Sequence, residues 1–223
     1  MALERQMKKA ISLADAVGMI PDGSSLMIGG FMGIGSPHRV LAELVRQKRK
    51  NLTIIANDTA RPEVGIGLLI NAKLARKVIA SHIGTNPETQ KQMIAKEIVV
   101  ELVPQGTLAE RIRAAGYGLG GVLTPTGLGT TVADGKHTVE VDGHDFLLEM
   151  PLKADFALIS ARRSDYRGNL EYALTARNFN PMMAMAAGTV IAEADEIVPV
   201  GVIPPDAVMT PHIVVDHVIE RGH

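Results

Sequence analysis

Short apolar runs alternate with segments of helical period through the first half of the chain. The runs have the length of buried strands, and the segments between them place apolar residues three and four positions apart. Because strand, helix and strand follow one another, we expect parallel strands joined by right-handed crossovers. This order predicts an α/β fold: a doubly wound, mainly parallel sheet with flanking helices. The predicted strands are 26–28, 52–56, 78–80 and 98–103, and the predicted helices are 3–18, 37–50, 86–97 and one opened by a capping box at Thr107 and Glu110.

The second half of the chain has more turns and fewer helices. Six glycines between residues 116 and 129 predict a long loop. Alternating residues around Asp142 and Gly143 predict a β-hairpin inserted over residues 138–148. No internal repeat or linker interrupts the pattern, so we expect a single domain over residues 1–223. The remaining predicted elements are strands at 154–160, 190–192 and 213–215, and a short helix that opens at Asn180 and Pro181.

Composition narrows the class of protein. A chain of 223 residues with 46% apolar residues can bury a full core. Its net charge of −1 gives no reason to expect a nucleic acid or an anionic membrane as partner. The absence of cysteine excludes disulfides, thiolate metal sites and a cysteine nucleophile. No apolar run approaches the roughly 18 residues of a spanning helix, and the N-terminus has no leader pattern, so we expect a cytoplasmic protein.

A glycine-rich loop follows the first predicted strand and precedes the 37–50 helix. Four of the seven residues from 29 to 35 are glycine, so the backbone amides can approach a ligand closely. Ser36 is a good N-cap and Pro37 a good first helical residue, which would leave free N–H groups at the positive end of the helix dipole. Such a site suits a phosphate, a carboxylate or a developing oxyanion. The alternative is a tight strand–helix turn that holds no ligand.

Polar residues follow the ends of the neighbouring predicted strands. They are Asn57 and Asp58, Ser81 and His82, and Gln105 with Gly106. Because ligands bind beyond the carboxyl ends of strands in an open α/β sheet, we expect these residues to meet the 29–35 loop at one edge. The set contains amide donors and glycine backbone but no nucleophile beside a base. It therefore predicts a site that holds and polarises a ligand without attacking it.

Two other kinds of site fit the sequence poorly. A dinucleotide fingerprint built on Gly33 and Gly35 would need its third glycine at His38, so the pattern is broken and no nicotinamide cofactor is expected. His212 and His217 lie near Asp216, but neighbouring residues on a strand face opposite sides, so no metal site is expected. The methionines at 182, 183 and 185 are expected in the core or in a subunit contact.

The GGFMGIGSP sequence that ends at Pro37 resembles the first signature of family I CoA-transferases. The resemblance continues in order through nearly the whole chain and is nearest to the alpha subunits of the bacterial acetate/acetoacetate type. This first motif and VPQGTLAERIR at 103–113 are specific. The other matching motifs are LTIIAND (52–58), GIGLL (65–69), SHIGTNPE (81–88), LTPTGLGT (123–130) and ARNFNP (176–181).

The resemblance implies an enzyme that moves CoA from an acyl-CoA to a free carboxylate by ping-pong chemistry through a glutamyl-CoA thioester. In two-chain members the nucleophilic glutamate lies in the beta subunit before Asn-Gly, and no glutamate of this chain precedes Asn-Gly. The implied partner is therefore a beta subunit, in an α2β2 assembly. The implied substrates are short-chain acyl groups such as acetyl, acetoacetyl or butyryl, with CoA as substrate and no permanently bound cofactor.

The resemblance also assigns roles to particular residues. Gln105 would belong to the oxyanion hole of the thioester carbonyl, and Asn57 would lie close to the acyl or carboxylate group. A neutral amide such as Gln105 can stabilise negative charge on oxygen without titrating; the alternative is a strand-end polar residue that ties down the helix start. CoA binding would fall to Gly29, Gly30, Phe31, Met32, Gly33, Ile34 and Gly35.

Some positions depart from the family pattern or leave alternatives open. Asp58 stands where the general pattern has a second asparagine, although acetate-type alpha subunits share this aspartate, and His212 replaces a glycine after Thr-Pro. His38 could contact a CoA phosphate, but a solvated position on the helix is expected. Arg162, Arg163 and Arg167 could also contact the phosphates, but surface ion pairs are expected. Two other classes remain open: a sugar-phosphate isomerase, and a CoA-binding regulatory domain without catalysis.

Overall fold

The computed structural model describes residues 10–219. Within that range a nine-stranded central sheet is accompanied by a separate three-stranded sheet. No helix in the described range is long and apolar enough to cross a membrane. The strands are β1 (Ala10–Ile11), β2 (Ser25–Ile28), β3 (Leu52–Asp58), β4 (Ala75–His82), β5 (Val99–Leu102), β6 (Val122–Thr124), β7 (Thr138–Val141), β8 (His144–Glu149), β9 (Ala154–Asp165), β10 (Leu170–Glu171), β11 (Ala187–Val198) and β12 (His217–Ile219). The α-helices are α1 (Leu13–Gly18), α2 (His38–Arg46), α3 (Gly67–Asn71), α4 (Pro87–Ile94), α5 (Gln105–Gly116) and α6 (Asn180–Met185).

The central sheet is mainly parallel and doubly wound, which confirms the predicted fold class. Its order is β1-β12-β11-β9-β2-β3-β4-β5, and only β10, which pairs with β9, is antiparallel within the described range. Strands β2 to β5 run outward in chain order, whereas the second half of the chain returns to place β9 beside β2 and winds the other way. The direction in which successive strands are added to the sheet therefore reverses at β2, and ligands of open α/β sheets bind at such a switch point.

Helices cover both faces of the sheet because successive strand residues point to opposite sides. On β2, Leu26 and Ile28 are buried in one cluster with apolar residues of α1, α2 and α3. Met27, between them, is buried in the other cluster, with Leu108 of α5 and Met183 of α6. These two aliphatic layers hold the strand ends, and hence the loops that follow them, in fixed positions.

The inserted β-hairpin is also confirmed. Strands β7 and β8 pair antiparallel, and Asp142 and Gly143 between them have φ angles of 51° and 75°. Positive φ at both central residues is the geometry of a type I′ turn, which favours Asp-Gly. Strand β8 pairs on its other side with β6, which lies inside the stretch predicted as a loop.

Two helices are shorter in the structure than the sequence pattern predicts. Helix α2 ends at Arg46 and α4 at Ile94, where residues up to 50 and 97 were predicted. In each case a lysine two residues later, Lys48 or Lys96, takes a left-handed conformation, and the next amide bonds back to the helix. Glycine usually occupies this C-terminal position, so a lysine there gives the sequence no stop signal.

Other boundaries are wrong because tertiary pairing overrides local pattern. Part of the predicted 3–18 helix lies outside the described residues; of the rest, Ala10–Ile11 is strand β1, and only Leu13–Gly18 is helical. The strand predicted at 213–215 is a 3₁₀ turn that precedes β12, and the short helix α3 was not predicted. Helix α5 begins at Gln105 without a side-chain cap, so the predicted capping box at Thr107 is wrong.

Candidate active site

The glycine loop that follows β2 closes on itself as a tight hairpin. The amide of Phe31 donates to the carbonyl of Ile34 at 3.0 Å, and the amide of Ile34 donates back to Phe31 at 2.9 Å. Met32 and Gly33 form the turn, with φ angles of 52° and 88°. Phe31 and Ile34 remain 45% and 57% exposed, so the loop presents apolar side chains outward at the switch point of the sheet.

The glycines of this loop are required by contacts within the protein. A Cβ on Gly29 would lie 1.8 Å from Oδ1 of Asn180, and one on Gly35 would lie 2.9 Å from the Cα of Ala176. At Gly30 the same space is taken by the Ser36 hydroxyl. The missing side chains therefore let the loop pack against the 176–180 segment, whether or not a ligand also approaches it.

Two asparagines of the 176–180 segment hold the loop in place. Asn178 accepts from the amide of Gly30 at 3.2 Å and donates to the carbonyl of Ile34 at 3.1 Å. Asn180, fully buried, donates to the carbonyl of Gly35 at 2.9 Å. These residues lie about 150 positions from the loop in sequence, so only their place in the ARNFNP motif could have drawn attention to them. Neither of them was given a role in the site from the sequence alone.

The start of α2 is not free for a ligand, contrary to the prediction. Glu193 of β11 accepts from the amides of Arg39 and Val40 at 3.3 and 2.9 Å, and it pairs with the Arg39 guanidinium at 3.2 Å. A carboxylate at a helix N-terminus satisfies the unpaired amides and interacts favourably with the helix dipole. Ser36 is not the cap, because its hydroxyl donates to the carbonyl of Gly29 at 3.0 Å.

Most amides of the glycine loop are also occupied. The amide of Gly29 donates to Leu158 at 3.0 Å, and that of Met32 donates to Oδ2 of Asp58 at 2.9 Å. Among the described residues, the amides of Gly33 and Gly35 have no acceptor. Gly33 is buried and Gly35 is half-buried, so the amide of Gly35 is the donor that the loop can still offer to a ligand.

A chain of side-chain hydrogen bonds joins the ends of β3 and β4 to the start of α5. Gln105 donates through Nε2 to Oδ1 of Asn57 at 2.6 Å, and Asn57 donates through Nδ2 to Oδ2 of Asp58 at 2.7 Å. The Ser81 hydroxyl donates to the carbonyl of Asn57 at 2.7 Å. Asn57 and Asp58 are 2% and 3% exposed, whereas Gln105 lies at the surface. One hydrogen of the Gln105 amide is therefore used internally, and the other remains for a ligand.

These residues and the glycine loop line one cleft of about 420 Å³. The lining residues are Phe31, Met32, Asn57, Asp58, Ser81, His82 and Gln105. The structure thus brings together the polar residues predicted to converge from neighbouring strand ends, with the exception of Gly106, whereas only Phe31 and Met32 of the 29–35 loop line the cleft. Gly106 lines a second cleft of about 580 Å³ between α5 and β6.

Several other residues singled out from the sequence lie away from this cleft. Arg163 pairs with Glu171 of β10, which agrees with the expected surface ion pair, and Met183 is in the core as expected. The amide of His212 donates to Asn169 at 2.9 Å. His38, Arg162 and Arg167 are exposed. No group of three or more metal-ligating side chains occurs among the described residues.

The fold and the cleft together define a class of protein. It is an α/β protein with an amide-lined cleft at the carboxyl ends of a mainly parallel sheet, which can orient and polarise a carbonyl or carboxylate. Ser81 is the only hydroxyl of the lining set, and its proton is directed at the Asn57 carbonyl instead of at a base. The Asp58 carboxylate is buried and accepts from Asn57, Met32 and Ala60, so the cleft can hold a reacting group without supplying an activated nucleophile.

Comparison with known proteins identifies the family. Residues 10–221 match the family model described as coenzyme A transferase. The chain is 56% identical over 211 residues to an acetate CoA-transferase subunit alpha of Escherichia coli, covering 95% of this chain and 96% of that one. It is 48% identical over 213 residues to an acetoacetyl-CoA:acetate/butyrate CoA transferase alpha subunit of Clostridium acetobutylicum, covering 96% and 98%. The chain belongs to the coenzyme A transferase family, as its motifs predicted.

A solved structure supports the fold independently. An acyl-CoA transferase from E. coli O157:H7, crystallised as a thioester complex with CoA, superposes with a TM-score of 0.85 at 24% sequence identity. The alignment covers 95% of this chain and 47% of that structure, so this chain spans about half the length of the solved protein.

Proposed function

We propose that this chain is the alpha subunit of a two-chain CoA-transferase. The enzyme moves CoA between a short-chain acyl-CoA, such as acetyl-, acetoacetyl- or butyryl-CoA, and a free carboxylate. The nucleophile is a glutamate of a beta subunit, in an α2β2 assembly in the cytoplasm, and CoA takes part as substrate. Support comes from the alpha subunits of the two relatives, which this chain matches over nearly their whole length.

The observation that carries the proposal is the donor set of the cleft. Attack of a carboxylate on a thioester carbon moves the carbonyl electron pair onto oxygen, and this charge needs an oriented donor. Gln105 offers the hydrogen of Nε2 that Asn57 does not use, at the start of α5, where helix amides also face outward. Asn57 keeps one Nδ2 hydrogen free in the same way, since only its other hydrogen is directed at Asp58.

The same chemistry explains why these groups are neutral amides. A lysine or arginine in the cleft would form an ion pair with the free carboxylate and hold it before reaction as tightly as during it. An amide binds the neutral carbonyl weakly and the developing oxyanion strongly, and only this difference accelerates the chemical step.

The glycine loop is the CoA-binding segment of the proposal. Its half-buried Gly35, whose amide has no acceptor, and its exposed Phe31 and Ile34 suit a ligand with both carbonyl oxygens and an apolar arm. The pantetheine arm of CoA has both. Residues 29–35 would then bind it beside the cleft in which Gln105 and Asn57 meet the thioester.

Co-expression tests the proposal directly. The chain is purified alone and together with a CoA-transferase beta subunit, and each preparation is assayed for transfer of CoA from acetoacetyl-CoA to acetate. We expect transfer by the pair and none by the chain alone. Full activity of the isolated chain would contradict the claim that this chain lacks the nucleophile. Isomerisation of a pentose phosphate would indicate a different enzyme. CoA binding without transfer by the pair would indicate a regulatory domain.

A further inference from the structure

Asp58 connects the glycine loop to the amide pair of the cleft, and neither composition nor family pattern gives it a role. We propose that Asp58 is a positioning residue: its carboxylate sets the orientation of the Asn57 carboxamide and, through it, the position of the Gln105 donor. The proposal rests on the function proposed above, because Gln105 acts on the substrate and Asp58 does not need to touch it.

The contacts of Asp58 use both of its oxygens. Oδ2 accepts from Nδ2 of Asn57 at 2.7 Å and from the amide of Met32 at 2.9 Å. Oδ1 accepts from the amide of Ala60 at 2.7 Å. The carboxylate is 3% exposed, so these three donors, rather than water, satisfy it. Met32 lies in the turn of the glycine loop, so one carboxylate links that loop, the end of β3 and the Asn57 side chain.

An ionised carboxylate accepts hydrogen bonds and donates none, and this fixes which end of the Asn57 amide faces it. With Nδ2 directed at Asp58, Oδ1 faces Nε2 of Gln105 at 2.6 Å and the Ser81 hydroxyl at 3.2 Å. If the carboxamide turned over, its oxygen would face the carboxylate and its NH₂ would face the NH₂ of Gln105. Both contacts would be repulsive, and the Gln105 side chain would lose its anchor.

An asparagine at position 58 cannot reproduce this arrangement. It has one acceptor oxygen where three donors converge from two sides, and its own NH₂ would have to face either the amide of Ala60 or the pair formed by Asn57 and Met32. In the second case Asn57 can relieve the donor–donor contact by turning over, which releases Gln105. Asp58→Asn therefore changes the network while removing only a charge and one acceptor.

A double-mutant cycle in the complex with the beta subunit distinguishes positioning from structural support. Asp58→Asn, Gln105→Ala and the double variant are compared with the parent enzyme by kcat and KM. We expect Asp58→Asn to lower kcat about tenfold in the parent and less than about twofold once Gln105 is absent, because the two residues act through one donor. KM for the acyl-CoA should change by less than about twofold. Equal losses of kcat in both backgrounds, or no loss in the parent, would overturn the proposal.

The control is Asp155→Asn. Asp155 also accepts a backbone amide and a hydroxyl, both from Ser25, but at the start of β9, at the opposite edge of the sheet. This variant should lower the melting temperature without changing kcat or coupling to Gln105. If Asp58→Asn does not assemble with the partner chain, Asp58→Ser, which keeps an acceptor oxygen, replaces it in the same cycle.

A crystal structure of the Asp58→Asn complex provides a readout that does not depend on activity. We expect Gln105 to leave hydrogen-bonding distance of Asn57; an unchanged pair would contradict the proposal. If the parent complex itself transfers no CoA, the proposed function fails, whereas the geometry of the variant still decides whether Asp58 orients the amide pair.

Discussion

Replacement of Gln105 by alanine is the sharpest test of the proposed active cleft. Nε2 of Gln105 has two hydrogens, one of which is used by Oδ1 of Asn57 at 2.6 Å, so alanine removes a single donor from the ligand side. Loss of one oriented oxyanion donor costs about 2.7 kcal/mol at the lower end of measured cases, or about 10²-fold in kcat. The structural cost should be small, because Gln105 is exposed and the Asn57 side chain keeps its hydrogen bond to Asp58.

The assay follows acetoacetyl-CoA formation from acetyl-CoA and acetoacetate by the assembled complex. Gln47→Ala is the matched control, since Gln47 directly follows α2 and donates to the carbonyl of Ala14 at 3.0 Å, within the helical layer formed by α1 and α2. We expect a kcat about 10²-fold lower for Gln105→Ala, with an unchanged melting temperature, and a parental kcat for Gln47→Ala. An unchanged kcat for Gln105→Ala would remove Gln105 from the chemistry, and an equal loss in both variants would show that the effect is not local.

Two further predictions concern stability. Gly29→Ala places a Cβ 1.8 Å from Oδ1 of Asn180 and should destabilise the fold by about 1–3 kcal/mol, with about 2–4 °C in melting temperature for each kcal/mol. Gly18→Ala is the control, because its Cβ meets nothing within 4 Å. Equal melting temperatures for the two variants would contradict the close packing of the loop. Burial raises the pKa of the Tyr172 phenol above its ordinary value of 10.0, although its hydrogen bond with Thr210 acts the other way. The unfolded phenol therefore ionises first, and the free energy of unfolding should fall as pH rises above about 10. Denaturant titrations on both sides of pH 10 should show a smaller fall for Tyr172→Phe; an identical fall would mean that Tyr172 does not titrate differently on folding.

Local pattern was sufficient for the framework of the sheet and for the composition of the cleft. The apolar runs that became β2, β3 and β4 are largely buried strands, because a strand covered on both faces is apolar along most of its length, whereas β5 lies at the edge of the sheet with Val99 and Leu102 exposed. Asn57, Ser81 and Gln105 could be placed at one edge because parallel strands end together. The helix ends near Lys48 and Lys96 were predicted wrongly, because each lysine adopts the left-handed conformation that glycine usually adopts after a helix. No glycine therefore marks these helix ends in the sequence.

The sequence by itself determined that this chain forms a doubly wound α/β sheet with amides and glycines at its strand ends and no attacking group among them. Only the tertiary structure decided which polar groups those amides and glycines meet. Glu193 reaches Val40 across 153 residues, and Asn178 reaches Gly30 across 148, after β9 and β11 have taken their places beside β2. Strand formation depends on apolar spacing within a few residues, whereas a hydrogen-bond partner depends on which strands become neighbours, and that is settled by packing the whole chain.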